Sequence, residues 1–228
     1  MSEFDPYQHS YSQAVNDAIA FSGQTVDFFT RVKVEHLLNT AGRLVGPAQQ
    51  LRVLDIGCGA GLTDQLLKGR VGHLAGVDVS QGLLTTAREQ NPGMEYQYYD
   101  GGKLPWPDGS FDVAFAICVM HHVPPAQWEH FAREAARVVR PGGCVAIYEH
   151  NPLNPLTRRI VNQCPFDVNA VLLGRSRTRG LLRAAGLKVV GQPYLLFFPW
   201  DRPVWRTLEG ALGWLPMGAQ YALWAKKG

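Results

Sequence analysis

The sequence predicts an α/β protein built on a doubly wound, mostly parallel sheet with helices on both faces. Three observations predict it. Short apolar runs of strand length alternate with segments of helical periodicity from Leu51 to Glu149, the rhythm of βαβ units. The first run, Leu51 to Ile56, stops at a cluster of glycines that opens a helix. The longest unbroken apolar stretch, Val113 to Met120, has eight residues. A membrane-crossing helix needs about 20, so these runs are read as core strands and helices.

Taken in order, residues 7–46 carry apolar positions at helical spacing, among them Tyr11, Val15, Ile19, Val26, Phe29 and Leu37. They read as two helices, broken near Ser22-Gly23 and ended before Gly46-Pro47. The strand at 51–56 follows, then a helix at 62–67 and a strand at 74–79. A helix at 81–90 ends at Asn91-Pro92-Gly93. Strands at 94–99 and 111–119 come next. A helix at 126–139 is stopped by Pro141-Gly142-Gly143, and a strand occupies 144–149. Beyond Asn151 the rhythm changes. A helix at 175–185 is closed by Gly186, strands are read at 187–190 and 194–198, and a last strand at 220–225. Residues 199–218 hold Trp200, Trp205 and Trp214 with three prolines, and no element is assigned there. No linker rich in Gly, Ser or charge divides the chain, so one domain with an N-terminal helical annex is expected.

Composition agrees. The 228 residues are 46% apolar and 18% charged, which excludes disorder throughout. A net charge of +3 gives no reason to expect nucleic acid as a partner. Cys58, Cys118, Cys144 and Cys164 form no Cys-x-x-Cys pair. They read as reduced, buried thiols, with no disulfide framework and no metal site. The start, Met-Ser-Glu-Phe-Asp-Pro-Tyr, has no basic segment followed by an apolar run. No signal peptide is read there, and a cytoplasmic protein is expected.

The strongest motif is Val53-Leu54-Asp55-Ile56-Gly57-Cys58-Gly59-Ala60-Gly61-Leu62. Glycines allow a sharp strand-to-helix turn and let a ligand approach the backbone. At the end of the next strand stands Asp78, where a carboxylate can accept from both hydroxyls of a ribose. The spacing Gly57, Gly59, Gly61 followed by Leu62 departs from the G-x-G-x-x-G of dinucleotide sites. Asp55 at the strand end would repel a pyrophosphate and suit a cationic group. Adenosine attached to a positively charged methionine fits both carboxylates.

On these residues the sequence resembles the class I S-adenosylmethionine-dependent methyltransferases. Val53 to Leu62 is similar to their first motif, and Asp78 matches their ribose-binding acid. Tyr98-Tyr99-Asp100-Gly101 resembles the third-strand motif, whose acid holds the adenine amino group. Leu104 to Asp112 is similar to the lead-in to strand four, and Val138 to Gly143 to the turn before strand five. The resemblance covers residues 50–150 well and 176–228 loosely. It implies S-adenosylmethionine as cofactor and a seven-stranded sheet whose last strand is antiparallel. It also implies a cofactor site of Asp55, Gly57, Cys58, Gly59, Gly61, Asp78, Val79, Asp100, Gly101 and Cys118. Residues 1–46 would form a helical lid over a methyltransferase domain at 47–228, with Tyr11 and Phe21 as lid contacts or as ordinary packing aromatics.

Methyl transfer is an in-line displacement at a sulfonium, favoured in a dry site that aligns the groups. A hydroxyl acceptor also needs a base. Cys118-Val119-Met120-His121-His122-Val123 ends strand four and places paired histidines there. His121 or His122 can be that base, can shape the pocket, or can meet Glu149 and His150 around a metal; no metal is the expectation. Glu149 and His150 end strand five and are the other catalytic candidates, the alternative being that Asn151 or Asn154 simply starts a helix at Pro155. Cys164-Pro165-Phe166-Asp167 could close the pocket. With Glu149 to Pro152 it resembles bacterial methyltransferases encoded near glycan and secondary-metabolite genes.

The amino-methylating DNA enzymes of the class carry Asn/Asp-Pro-Pro-Tyr/Phe after strand four, where this chain has Met-His-His-Val-Pro-Pro. The arginines at 175, 177, 179 and 183 read as a solvated helix start. The expectation is therefore a cytoplasmic methyltransferase acting on a small molecule, most often at oxygen. The alternatives are a lipid-linked or quinone-like acceptor, or a module that binds the cofactor without transferring methyl. The Trp-rich tail packs on the sheet or on a second subunit of a homodimer, or makes peripheral contact with lipid.

Overall fold

The computed structural model describes Asn16, Asp17, Ile19 and residues 23–228 except Phe166, Asp201 and Arg202. Tyr11 and Phe21 lie outside the described residues. Helix α1 (Val26–Leu44) precedes an alternating series: β1 (Arg52–Ile56), α2 (Leu62–Leu67), β2 (His73–Asp78), α3 (Gln81–Gln90) and β3 (Glu95–Tyr98). Then come β4 (Phe111–Ile117), α4 (Trp128–Val138), β5 (Val139–His150), α5 (Pro155–Gln163) and α6 (Arg175–Ala184). The chain ends with β6 (Leu187–Gly191), β7 (Tyr194–Leu195), α7 (Pro203–Leu212) and β8 (Gln220–Lys227).

The sheet order is β3-β2-β1-β4-β5-β8-β6, with β7 also paired to β8. The pairs among β1 to β5 are parallel, and β8 runs antiparallel between β5 and β6. These are the seven positions expected, with the outermost divided in two. The division has a local cause. Gln192-Pro193 separates β6 from β7, and proline has no N–H for the ladder. Leu196 then turns to φ +61, so the strand expected at 194–198 is two residues long.

Side chains alternate between the two faces of the sheet. Leu54, Ala114, Ala116, Val145 and Ile147 pack under α4 and α6 with Phe131, Ala135, Leu181 and Leu182. Val53, Val113, Phe115, Ala146 and Trp224 pack under α1 with Val34, Leu37 and Ala41. Both faces are covered, as a parallel sheet requires.

Two boundaries differ from the sequence reading in ways that matter for function. β4 stops at Ile117 because Cys118 adopts φ +57, and residues 120–122 form a single 3₁₀ turn. That turn, not an extended strand, presents the paired histidines. Periodicity alone assigns neither α5 nor α7. α5 starts as capping chemistry allows: Asn154 Oδ1 accepts from Leu156 N at 2.9 Å and Thr157 N at 3.1 Å, with Pro155 in the first turn.

Candidate active site

A cavity of about 600 Å³ opens at the carboxyl ends of β1, β2, β4 and β5, where the strand order reverses. One side is made by the glycine loop. Gly57, Gly59 and Gly61 have φ of +81, +54 and +77, a left-handed conformation that L side chains avoid. Their surroundings differ. A Cβ on Gly57 would sit 2.5 Å from Val119, and one on Gly61 2.5 Å from Asn91 Nδ2. A Cβ on Gly59 would meet nothing within 4 Å, because Gly59 faces the cavity. Gly61 packs behind the loop and is not on the wall.

Asp78 closes this side. Its Oδ2 accepts from Gly59 N and its Oδ1 from Ser80 N, both at 2.8 Å. The carboxylate is thereby fixed against the loop while still on the cavity wall, as are Val79, Asp100, Gly101, Cys58 and Cys118. Asp100 is solvent-exposed and accepts from Gly102 N at 2.9 Å.

Asp55 also reaches the wall, but not as the isolated carboxylate expected. It is buried and hydrogen-bonded to Asp64, whose Oδ2 accepts from Tyr96 Oη at 2.8 Å. Burial pushes both groups up, Asp64 to about 7; the Asp64 and Asp78 charges raise Asp55 further, while hydrogen bonds with Tyr96 and Asp55 hold Asp64 back.

Sequence reasoning missed Lys33. It lies on the buried stripe of α1, is 8% exposed and lines the cavity. Among the described residues it has no hydrogen-bond or ion-pair partner. The signal was present: a lysine three residues after Thr30 and four before Leu37 sits on an apolar helix face.

The opposite side is the histidine cluster. His121 Nδ1 donates to Glu149 Oε2 at 2.6 Å, and its Nε2 faces Asp167 Oδ1 at 3.5 Å. His122 Nε2 lies 3.3 Å from the same Asp167 oxygen. The rings of His121 and His122 are 4.1 Å apart, and those of His121 and His150 5.0 Å. Glu149 is not on the cavity wall. Its other oxygen accepts from Met120 N at 2.7 Å, so it orients the 3₁₀ turn and His121 together. Asp167 was read only as part of a closing loop, yet it is the residue that ties the two histidines.

The charges follow from this geometry. Burial alone would push His121 down, but the facing Glu149 and Asp167 carboxylates outweigh it and hold its pKa well above the ordinary value. The same contacts overcome burial at Glu149 and Asp167 and keep both below the usual carboxylate range. His122 and His150 go the other way. Burial, and then the adjacent His121 charge, lowers each to about 4. At neutral pH His121 is thus an imidazolium between two carboxylates, while His122 and His150 are neutral rings on the wall. His121, His150 and Asp167 offer atoms within 4.8 Å of one another, a spacing a small cation could use. An imidazolium has no lone pair for a metal, so the His121 proton competes with that use.

Gln220 on β8 completes this side. Its Nε2 donates to Cys118 Sγ at 3.2 Å, and its Oε1 is buried with no partner among the described residues.

A family described as "Methyltransferase domain" matches residues 54–147. Within that stretch this chain carries a methyltransferase domain, similar to S-adenosylmethionine-dependent enzymes. It is 34% identical to trans-aconitate 2-methyltransferase of Methylobacterium nodulans over 145 residues, 60% of this chain and 53% of that protein. It is 30% identical to 2-methyl-6-phytyl-1,4-hydroquinone methyltransferase of a Synechocystis strain over 187 residues, 73% of this chain and 57% of that protein. The chain thus spans little more than half the length of these curated relatives. Its fold is that of an S-adenosylmethionine-dependent methyltransferase of Thermotoga maritima, with a TM-score of 0.67 at 20% identity over 99% of this chain and 98% of that one.

The wall fits the family's cofactor, S-adenosylmethionine. The open space at Gly59 admits a ligand against the loop, and the Asp78 carboxylate beside it could accept from ribose hydroxyls. The Asp55–Asp64 pair suits an ammonium group, and the unpartnered Lys33 suits a carboxylate. An amino-acid moiety carries both.

Proposed function

We propose that this methyltransferase moves a methyl group to an oxygen of a small-molecule acceptor, with His122 as the base. S-adenosylmethionine, when bound, supplies an electrophilic methyl group. Asp78 would hold its ribose and Lys33 its carboxylate, while α1, which contributes Val26, Phe29 and Lys33 to the cavity, would serve as the lid. One observation carries the choice of base: His121 already holds its proton between Glu149 and Asp167. The neutral neighbour His122 takes the acceptor's hydroxyl proton as the oxygen–carbon bond forms. Asp167, 3.3 Å from its Nε2, stabilises the imidazolium produced. Glu149 is a positioning residue.

The weak basicity of His122 narrows the acceptor. Proton transfer is efficient when base and acid are matched. A base with a pKa of about 4 suits an acidic hydroxyl, a phenol or an enol, better than an alkyl alcohol. One of the two curated relatives is named for a hydroquinone, which supports a phenolic acceptor. Small bacterial glycans or secondary metabolites with such groups are the acceptor class we infer.

Methyl-labelled cofactor offered with a panel of phenols, hydroxyquinones and carboxylic acids tests this reading. His122→Asn should lower kcat by about 10²–10⁴-fold with cofactor affinity unchanged. The sequence alone would place the acid limb of the pH–rate profile near the ordinary histidine value. Burial moves it, so the parent should stay active down to about pH 5 and lose activity toward about pH 4. A loss under about tenfold in His122→Asn, with the limb unchanged, would remove the base role.

A further inference from the structure

Between β5 and β8 the chain makes two turns that the structure ties to one face. Asn151 Nδ2 donates to Pro216 O at 3.1 Å and to Gly218 O at 2.8 Å. Asn154 Nδ2 donates to Met217 O at 2.7 Å. The stapled turns expose Leu153, Trp214 and Met217 at 67%, 72% and 65%, with the half-exposed Leu156 next to them. Large apolar side chains this exposed and this close together mark an interaction surface.

The same segment is strongly basic. Residues 150–220 contain nine Lys and Arg against three Asp and Glu, a net charge of +6 in a chain whose total is +3. Arg158 and Arg159 project from α5 into solvent, and that helix holds no acid. Neither arginine has a hydrogen-bond or ion-pair partner among the described residues. Tryptophan and aliphatic groups beside unpaired arginines are the composition that lies in a lipid headgroup layer.

The face also borders the cavity. Thr157 and Ile160 on the inner side of α5, and Ala219 and Gln220 just beyond the second turn, line the wall on the histidine side. No helix among the described residues is long and apolar enough to cross a membrane, so contact would be peripheral. A second copy of this chain is a poorer occupant, since a two-fold contact would bring the basic segment against itself.

We propose that this face docks on an anionic lipid bilayer and that the acceptor reaches the cavity from the membrane. The acceptor's route rests on the methyltransferase reading above; the docking does not. Cosedimentation with vesicles of phosphatidylcholine, alone or with about 30% phosphatidylglycerol, measures the docking at low and high salt. The parent should partition onto the anionic vesicles and release at high salt. R158Q/R159Q should lower partitioning about 30-fold, and W214S/M217S at least about tenfold. Both variants should bind S-adenosylmethionine as the parent does, which shows that they fold. A parent that does not prefer anionic vesicles, or partitioning unchanged in both variants, overturns the proposal. So does a dimer in sedimentation velocity that W214S/M217S dissociates while the parent ignores vesicles. Cofactor binding by the parent reports on the methyltransferase reading separately and survives a failure of docking.

Discussion

The glycine-loop wall of the cavity is made of turns, with Asp78 only 19 residues beyond Gly59. The histidine side is made of side chains as far apart as Cys118 and Gln220, 102 residues. On the first side backbone geometry does the positioning: three left-handed glycines and two backbone N–H groups fix one carboxylate. On the second side, side chains position one another. His121 is held by Glu149 from the end of β5 and by Asp167 from the loop after α5. The difference teaches where each side is fragile. A single truncation on the histidine side strands a buried charge, whereas truncation at Asp78 leaves a loop whose turns are set by its own glycines.

The largest expected effect follows directly. Glu149→Ala leaves the His121 charge facing Asp167 alone and frees Met120 N. Removing one member of a buried ion pair costs about 3–5 kcal/mol. Chemical denaturation should show a loss in that range, with cofactor affinity of the folded fraction unchanged. A loss under about 1 kcal/mol would mean that His121 is not held as an imidazolium, and the comparison would break at its centre.

Next is Asp78→Ala. Losing two charge-assisted hydrogen bonds to a ribose should weaken S-adenosylmethionine binding by about 2–4 kcal/mol. Calorimetry that finds unchanged affinity would take Asp78 out of the site.

Lys33→Met should move two observables in opposite directions. The cofactor's carboxylate would lose a charged hydrogen bond, about 1.5–3 kcal/mol of binding. The fold would gain roughly 1 kcal/mol, because a buried cation without a partner is replaced by an apolar chain of similar length. A variant less stable than the parent would show that Lys33 supports the fold rather than a ligand.

What could be read in the sequence divides along the same line. That Gly57, Gly59, Asp78 and Asp100 come together on one cavity wall was legible because turn chemistry and strand ends are local. The helix–strand rhythm from residue 51 to 150 was legible for the same reason. Asp167 was not, because its role exists only when the loop after α5 folds back on the 3₁₀ turn at 120–122. Lys33 was hidden by counting apolar positions on α1 and passing over the polar residue on their face. α7 was obscured by Pro203, which reads as a breaker although the first helical turn tolerates it. The end of β4 was misjudged because nothing in Ile117-Cys118-Val119 announces a left-handed Cys118.

The last expected effect separates the two sides by the sign of a slope. His122 and His150, and likewise His36 on α1, have folded pKa values of about 4. Between about pH 4 and 6.5 the unfolded chain binds their protons and the native state does not. Each therefore makes stability fall by about 1.4 kcal/mol for every pH unit of acidification in that window. The Asp55–Asp64 pair acts in the opposite direction. Its folded values are raised, Asp64 to about 7, so from about pH 4 upward the native state keeps a proton that the unfolded chain has lost. Stability from the pair is present at low pH and is lost as pH rises. His121 adds to the loss above about pH 6.5, since its folded value is raised. Denaturation midpoints measured from pH 4.5 to 6.5 should thus respond oppositely to removing the titrating groups of each side. His122→Asn should flatten the acid-side slope by about 1.4 kcal/mol per pH unit, and D55N/D64N, which removes the whole pair, should steepen it. If both variants change the slope in the same direction, the two sides do not hold their protons as the geometry of their hydrogen bonds requires.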